Sequence, residues 1–123
     1  MAQILVVEDD ITGQELLIDA LMVFGHTVIA AENGAQGLQL YRNNFFDLAI
    51  VDMEMPVMNG LEMIRAVREE DTDFPVIAVT GYSHIYLAME VLSLNVEAFL
   101  KKPLNLKELA QIIEGICSRH NAY

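Results

Sequence analysis

Basic residues are scarce in this sequence: 7 Lys and Arg stand against 18 Asp and Glu, a formal charge of −11. A chain this acidic is repelled by nucleic acid and by anionic membrane surfaces, so neither is expected as a direct ligand. A DNA-linked role would have to come from another domain or a partner. Cysteine is scarcer still. The single Cys117 excludes an internal disulfide framework, and its setting beside Ile113 and Ile116 suits a buried structural thiol better than a nucleophile. The first residues, MAQILVVEDD, lack the basic segment and long apolar stretch of a signal peptide. No apolar run reaches membrane-spanning length, and a reducing cytoplasm is the default location. Internal repeats, low-complexity tracts and Pro/Gly/Ser linkers are missing too.

What is present is a folding composition. Apolar residues make up 54 % of 123 residues, enough for one domain, residues 1–123, with a proper core. Short apolar runs fall at QILVVE (3–8), TVIAA (27–31), DLAIVD (47–52), PVIAVT (75–80) and EAFL (97–100). Between them, apolar residues recur at helical spacing. The first helix is expected near 11–24, with Leu17, Ala20, Leu21 and Phe24 on one stripe and Gly25 as the residue that ends it. The second runs over about 34–44 with Leu38 and Tyr41 inward, and the third over 61–70 with Ile64 and Val67 inward. The fourth covers roughly 83–94 and stops at Asn95, which can take a left-handed conformation. Asn105 is a natural N-cap for the fifth, with Glu108 at the capping-box position and Leu104 placed to staple against Leu109. Strands alternating with helices imply a parallel sheet covered on both faces, and LAIV and VIAV are apolar throughout, as doubly covered strands should be.

In such a sheet the ligand site lies beyond the carboxyl ends of the strands. Those ends carry Glu8-Asp9-Asp10, Asp52, Thr80 with Gly81, and Lys101-Lys102-Pro103. Each has an ordinary explanation on its own: Asp10 as an N-cap, Thr80 as a β-former, a lysine as half of a surface ion pair. Together they bring carboxylates, a hydroxyl and an amine to one edge. Converging carboxylates repel one another, and a hard divalent cation such as Mg²⁺ offsets that. A carboxylate beside Mg²⁺, a fixed ammonium and a hydroxyl suit attack on a phosphoryl group, with formation of an aspartyl phosphate.

These motifs resemble the receiver domain of two-component response regulators. ILVVEDD, GHTVIAAENGAQGL, LAIVDMEMPVMNGLEMI, PVIAVTG and AFLKKPL follow the family's order over essentially the whole chain. DMEMPVMNG is the most specific of them. The resemblance implies a flavodoxin-like (βα)5 fold, a doubly wound parallel sheet of five strands in the order 2-1-3-4-5. It implies Asp52 as phosphoacceptor and Mg²⁺ (or Mn²⁺) held by Asp9 directly, Glu8 through water, Asp52 and the Glu54 backbone carbonyl. Thr80 is similar to the family's switch hydroxyl and Phe99 to the aromatic whose rotamer follows it. The family's lysine precedes proline, which selects Lys102, leaves Lys101 exposed and makes Lys102-Pro103 a cis bond. Phe99 stands where many relatives carry Tyr, so its switch is one of packing alone, and Glu8 stands where Asp is common. Glu54 and Tyr82 occupy positions that tune the phosphoryl lifetime.

By the same resemblance the chain is a phosphoacceptor switch and not an enzyme in the ordinary sense, apart from promoting its own phosphotransfer and slow autodephosphorylation. Its donor would be a sensor histidine kinase or a histidine phosphotransfer protein. Its output would pass through the fourth helix, fifth strand and fifth helix to a downstream protein or an attached output domain. SHIYLAMEVLSL is apolar around much of its circumference. Either Ile85, Tyr86 or Met89 is partly exposed there, as a partner or homodimer patch would be, or the segment is an ordinary core helix. An aspartate-nucleophile phosphatase would need a further acidic cluster after the lysine, and PLNLKELAQII offers only Glu108 with Glu114 beyond it. A receiver fold without phosphorylation would lack pieces that are all present here. A flavodoxin-type cofactor binder would need a Ser/Thr/Gly-rich phosphate loop where EDDITGQ is acidic.

Overall fold

The computed structural model describes residues 1–55, 58–81 and 85–120, with Ile85, Tyr86 and His120 described by backbone alone. Strands and helices alternate: β1 (Gln3–Val7), α1 (Ile11–Val23), β2 (Thr27–Ala31), α2 (Gly34–Asn43), β3 (Leu48–Asp52), α3 (Gly60–Glu70), β4 (Val76–Thr80), α4 (Ile85–Leu92), β5 (Ala98–Lys101) and α5 (Leu106–His120). All strand pairs are parallel, in the order β2-β1-β3-β4-β5. The parallel sheet expected from the alternation, and the flavodoxin-like strand order that the family resemblance implies, are the ones observed. Positions 83–84, expected to open the fourth helix, lie outside the described residues.

Alternation along the strands divides the core into two layers. Leu5, Val7, Ala49, Val51, Val76 and Ala78 pack toward α2, α3 and α4, where Leu38, Met63, Ile64, Val67 and Val91 meet them. Ile4, Val6, Leu48, Ile50, Ile77 and Val79 pack toward α1 and α5, against Leu17, Leu21, Leu109, Ile113 and Ile116. Every residue of β3 and β4 is buried, which is why LAIV and VIAV carry no polar alternation. Burying one such side chain contributes about 1.5–3 kcal/mol, so these two strands anchor the sheet.

Short polar side chains begin the helices. Asp10 Oδ2 accepts the Gly13 N–H at 2.9 Å, Asn33 Oδ1 that of Gln36 at 2.9 Å, and Asn105 Oδ1 that of Glu108 at 3.0 Å. Asn59 goes further, exchanging bonds with Glu62 in a full capping box that fixes the start of α3. Gly25 (φ 94°) and Asn95 (φ 58°) supply the left-handed residues after α1 and α4, as expected. Leu104 packs in the same layer as Leu109.

One inward assignment is corrected. Phe24 is 40 % exposed, because α1 ends at Val23 and Phe24 is the C-cap, where the chain already leaves the stripe held by Leu17 and Leu21. Tyr41 is half-buried with its ring edge-on to Phe74, centroids 4.9 Å apart. Cys117 is half-buried beside Ile113 and Ile116, and burial pushes its thiol up and away from the reactive thiolate.

Candidate functional site

Among the described residues, three polar side chains are buried in this apolar interior: Glu8 (6 % exposed), Asp52 (4 %) and Thr80 (3 %). All three sit at the carboxyl ends of adjacent strands. The register puts them there, with Val7 beside Val51, Asp52 beside Val79 and Thr80 beside Lys101. The Lys102 N–H donates to the Thr80 carbonyl at 2.7 Å, carrying the pairing one residue further and turning Lys102 back over the strand ends. Lys101 points away and is exposed, and the Lys102-Pro103 bond is cis.

Lys102 Nζ lies 2.8 Å from Glu8 Oε1 and 3.2 Å from Asp52 Oδ2. Asp52 Oδ1 accepts the Glu54 N–H at 3.1 Å. Both Asp52 oxygens are thereby held, one by an ammonium and one by the backbone. A Cβ built at Gly60 would overlap the Asp52 carbonyl oxygen, so only glycine lets the β3–α3 loop return this close to the strand it left.

The charges do not balance locally. Burial, with the Asp52 carboxylate alongside, pushes Glu8 up to about 8 against the pull of Lys102. Asp52 goes the other way: against a burial that would raise it, the hydrogen bond with Glu8, the Glu54 N–H and Lys102 hold it below the ordinary carboxylate range. Lys102 is raised, its two carboxylate neighbours outweighing burial. Asp52 is therefore the ionised member of the pair, and Glu8 is the one that holds a proton when no other cation is near.

A divalent cation fits this donor set. One carboxylate oxygen each from Glu8, Asp9 and Asp52 lies within 4.8 Å of the others. Asp9 is exposed and can meet an ion from solvent, while Glu8 Oε2 is buried and accepts no hydrogen bond. An all-oxygen cluster with a spare buried acceptor matches a hard ion that keeps part of its water shell. Asp10, the third acid of the run, caps α1 instead.

Sequence reasoning placed Glu54 beside the site as a residue that tunes the phosphoryl lifetime, but did not foresee its side chain's contact with Thr80 and Gly81. Glu54 Oε1 accepts the Thr80 hydroxyl at 2.6 Å and the Gly81 N–H at 3.0 Å. The spacing of Glu two residues after Asp52 was the available signal; the loop path that aims it at Thr80 was not readable. Tyr82 lies outside the described residues. Phe99 is half-buried on β5, packed against the layer that contains Ala78 and Val91. A cleft of about 580 Å³ between α1 and the β5–α5 turn, lined by Leu16, Leu17 and Leu104, reaches Glu8, Asp52 and Lys102.

The sequence model of the response regulator receiver domain matches residues 4–114. The chain belongs to the response regulator receiver domain family. Receiver domains of this family are phosphorylation-activated signalling switches of two-component systems, not enzymes in the ordinary sense, and they bind Mg²⁺. The chain is 36 % identical over 106 residues to the transcriptional regulatory protein ZraR of Klebsiella oxytoca, covering 86 % of this chain and 24 % of that protein. It is 32 % identical over 117 residues to the response regulator MprA of Mycobacterium sp. (strain KMS), 95 % of this chain and 51 % of that one. It thus spans about a quarter of the first of these curated relatives and half of the second. Among solved structures, a response regulator receiver domain protein of Clostridium thermocellum superposes with a TM-score of 0.92 at 26 % identity, over 99 % of this receiver and 98 % of that chain. The response regulator TrrA of Thermotoga maritima, solved in complex with Mg²⁺ and BeF, gives 0.86 at 32 % identity over 94 % and 99 %.

Proposed function

We propose that residues 1–123 act as one receiver unit in which Asp52 accepts a phosphoryl group from a phosphohistidine of a sensor kinase or phosphotransfer protein. The observation that carries this is the setting of Asp52: buried, ionised, with Lys102 Nζ 3.2 Å from one oxygen and the Glu54 N–H on the other. In the reaction an Asp52 oxygen forms a bond to phosphorus, the bond from phosphorus to the histidine nitrogen breaks, and the imidazole leaves with the electron pair. Water attacking the same phosphorus later releases inorganic phosphate and restores the carboxylate, a slow autodephosphorylation that Glu54 and Tyr82 tune.

Asp9 directly, Glu8 through water, Asp52 and the Glu54 carbonyl would hold Mg²⁺ or Mn²⁺. When bound, the ion neutralises charge on the phosphoryl oxygens. Lys102 does the same from the other side, and its half-buried ammonium is kept charged by Glu8 and Asp52. The new oxygens on Asp52 attract the Thr80 hydroxyl, and Phe99 follows into the space it leaves.

The readout surface is α4, β5 and α5. Met89 is 63 % exposed and Leu92 59 % on α4, which favours a partner or homodimer patch there. Of the other two expected residues, the Ile85 and Tyr86 side chains lie outside the described residues. Among the described residues no helix is long and apolar enough to cross a membrane. Membership of the receiver family supports a cytoplasmic receiver signalling to a downstream protein or an attached output domain.

The test is incubation with a small acyl phosphate. With Mg²⁺ present, wild type should gain one phosphoryl group per chain by intact-mass analysis, labile to hydroxylamine; a chelator should prevent it, and Asp52→Asn should gain none. Equal labelling of Asp52→Asn contradicts the assignment. Sustained hydrolysis of a simple phosphate ester would point to the phosphatase chemistry instead.

A further inference from the structure

The Thr80 hydroxyl and the Gly81 amide converge on a single carboxylate oxygen, Glu54 Oε1, at 2.6 and 3.0 Å. Two donors aimed at one anionic oxygen make a small anion-binding site, and here the occupant belongs to the chain itself. Thr80 is buried, so its hydroxyl has little access to water as an alternative partner. Gly81 adds no side chain to the space around Glu54 Oε1; even a Cβ there would stand 3.9 Å away. Glu54 is also tied to the phosphoacceptor, since its own N–H donates to Asp52 Oδ1 at 3.1 Å. One residue therefore touches Asp52 with its backbone and the switch hydroxyl with its side chain.

We propose that the Glu54 carboxylate is a built-in stand-in for the phosphoryl group, a latch that holds Thr80 and Gly81 in the resting arrangement and must be displaced when Asp52 is phosphorylated. This rests on Asp52 being the phosphoacceptor. A phosphoryl group on Asp52 presents oxygens that compete for the same two donors, and the latch sets how strongly it must compete. Glu54 is here a positioning residue: it acts on the switch through Thr80 and Gly81. Its release frees a charged arm at the same moment as Thr80 moves, so the two events form one step.

Charge alone does not describe this arrangement, and length separates the two effects. Glu54→Gln keeps the reach but replaces charge-assisted bonds with neutral ones, and charge-assisted bonds are about twice as strong. Glu54→Asp keeps the charge and withdraws it by one methylene, out of reach of the Thr80 hydroxyl. If the latch operates, both variants bind Mg²⁺–beryllofluoride, the ligand held by the Thermotoga relative, about tenfold more tightly than wild type.

The measurement is beryllofluoride affinity at saturating Mg²⁺ by NMR titration, with the Gly81 amide resonance of each free protein recorded alongside. Expected are tighter binding in both variants and, before any beryllofluoride is added, an upfield shift of the Gly81 amide proton in Glu54→Asp. Tight binding in Glu54→Gln with wild-type affinity in Glu54→Asp would reduce the effect to charge near Asp52 and overturn the latch. Unchanged affinity in both variants also overturns it, while leaving Asp52 as phosphoacceptor intact. A folded wild type that takes neither beryllofluoride nor phosphoryl overturns the phosphoacceptor reading, and the latch with it.

Discussion

At the scale of single residues, the site is a charge imbalance held in an apolar sheet edge. Glu8 and Asp52 share one ammonium, Lys102, and Asp9 adds a further acid at the mouth. Burial forces Glu8, and not Asp52, toward its protonated form, so removing the Glu8 charge should stabilise the ion-free protein. Glu8→Gln is expected to raise its unfolding free energy by about 1 kcal/mol in urea titrations at neutral pH without Mg²⁺, an unusual sign for a polar substitution at a buried site. Mg²⁺ should stabilise wild type by about 1.4 kcal/mol at a tenfold excess over its dissociation constant, and Asp9→Asn should lose most of that gain at the same concentration. Thermal melts with and without the ion check both. These acids were legible in the sequence because each follows an apolar run, and parallel strands must bring such ends together. The Glu54 contact with Thr80 was not, since it depends on the path of the β3–α3 loop and no periodicity encodes that.

At the scale of elements, the loops that carry the site are fixed by small residues and caps. Gly60 opens α3 where any side chain would meet the Asp52 carbonyl and the Met53 side chain. Gly60→Ala is expected to cost about 2 kcal/mol or more and to lower the phosphorylation yield at Asp52, because the loop must move away from the strand end. Asn59→Ala removes only the cap and should cost about 1 kcal/mol with phosphorylation retained. Urea titration paired with intact-mass analysis separates the two. The contrast between α1 and α5 illustrates what sequence reveals about elements. Asn105 and Leu109 follow standard rules and fell where expected. Phe24 looked like a fourth member of the α1 stripe, but the turn at Gly25 ends the helix before the stripe reaches it.

At the scale of the molecule, the two-layer core followed from the alternation of apolar runs with helical spacing, because a parallel sheet needs crossovers on both faces, while the strand order came with the family resemblance. One polar contact joins distant parts of this framework: the Ala2 N–H donates to His26 Nδ1 at 3.0 Å, linking the start of β1 to the α1–β2 turn. Burial and the nearby N-terminal ammonium lower the His26 pKa from its ordinary 6.5, against the opposing charge of Asp47. With the folded value below the unfolded one, the contribution is present above about pH 6.5 and is lost as pH falls through the folded value. The melting temperature should accordingly drop more steeply on acidification from neutral pH in wild type than in His26→Leu. What the whole framework positions is one carboxylate at the end of its central strand. The most direct measurement of that claim is borohydride reduction of the phosphorylated chain, which converts an acyl phosphate to an alcohol, followed by peptide mapping. The account predicts homoserine at Asp52 alone. Reduction at Glu8 or Asp9 with Asp52 untouched would contradict it.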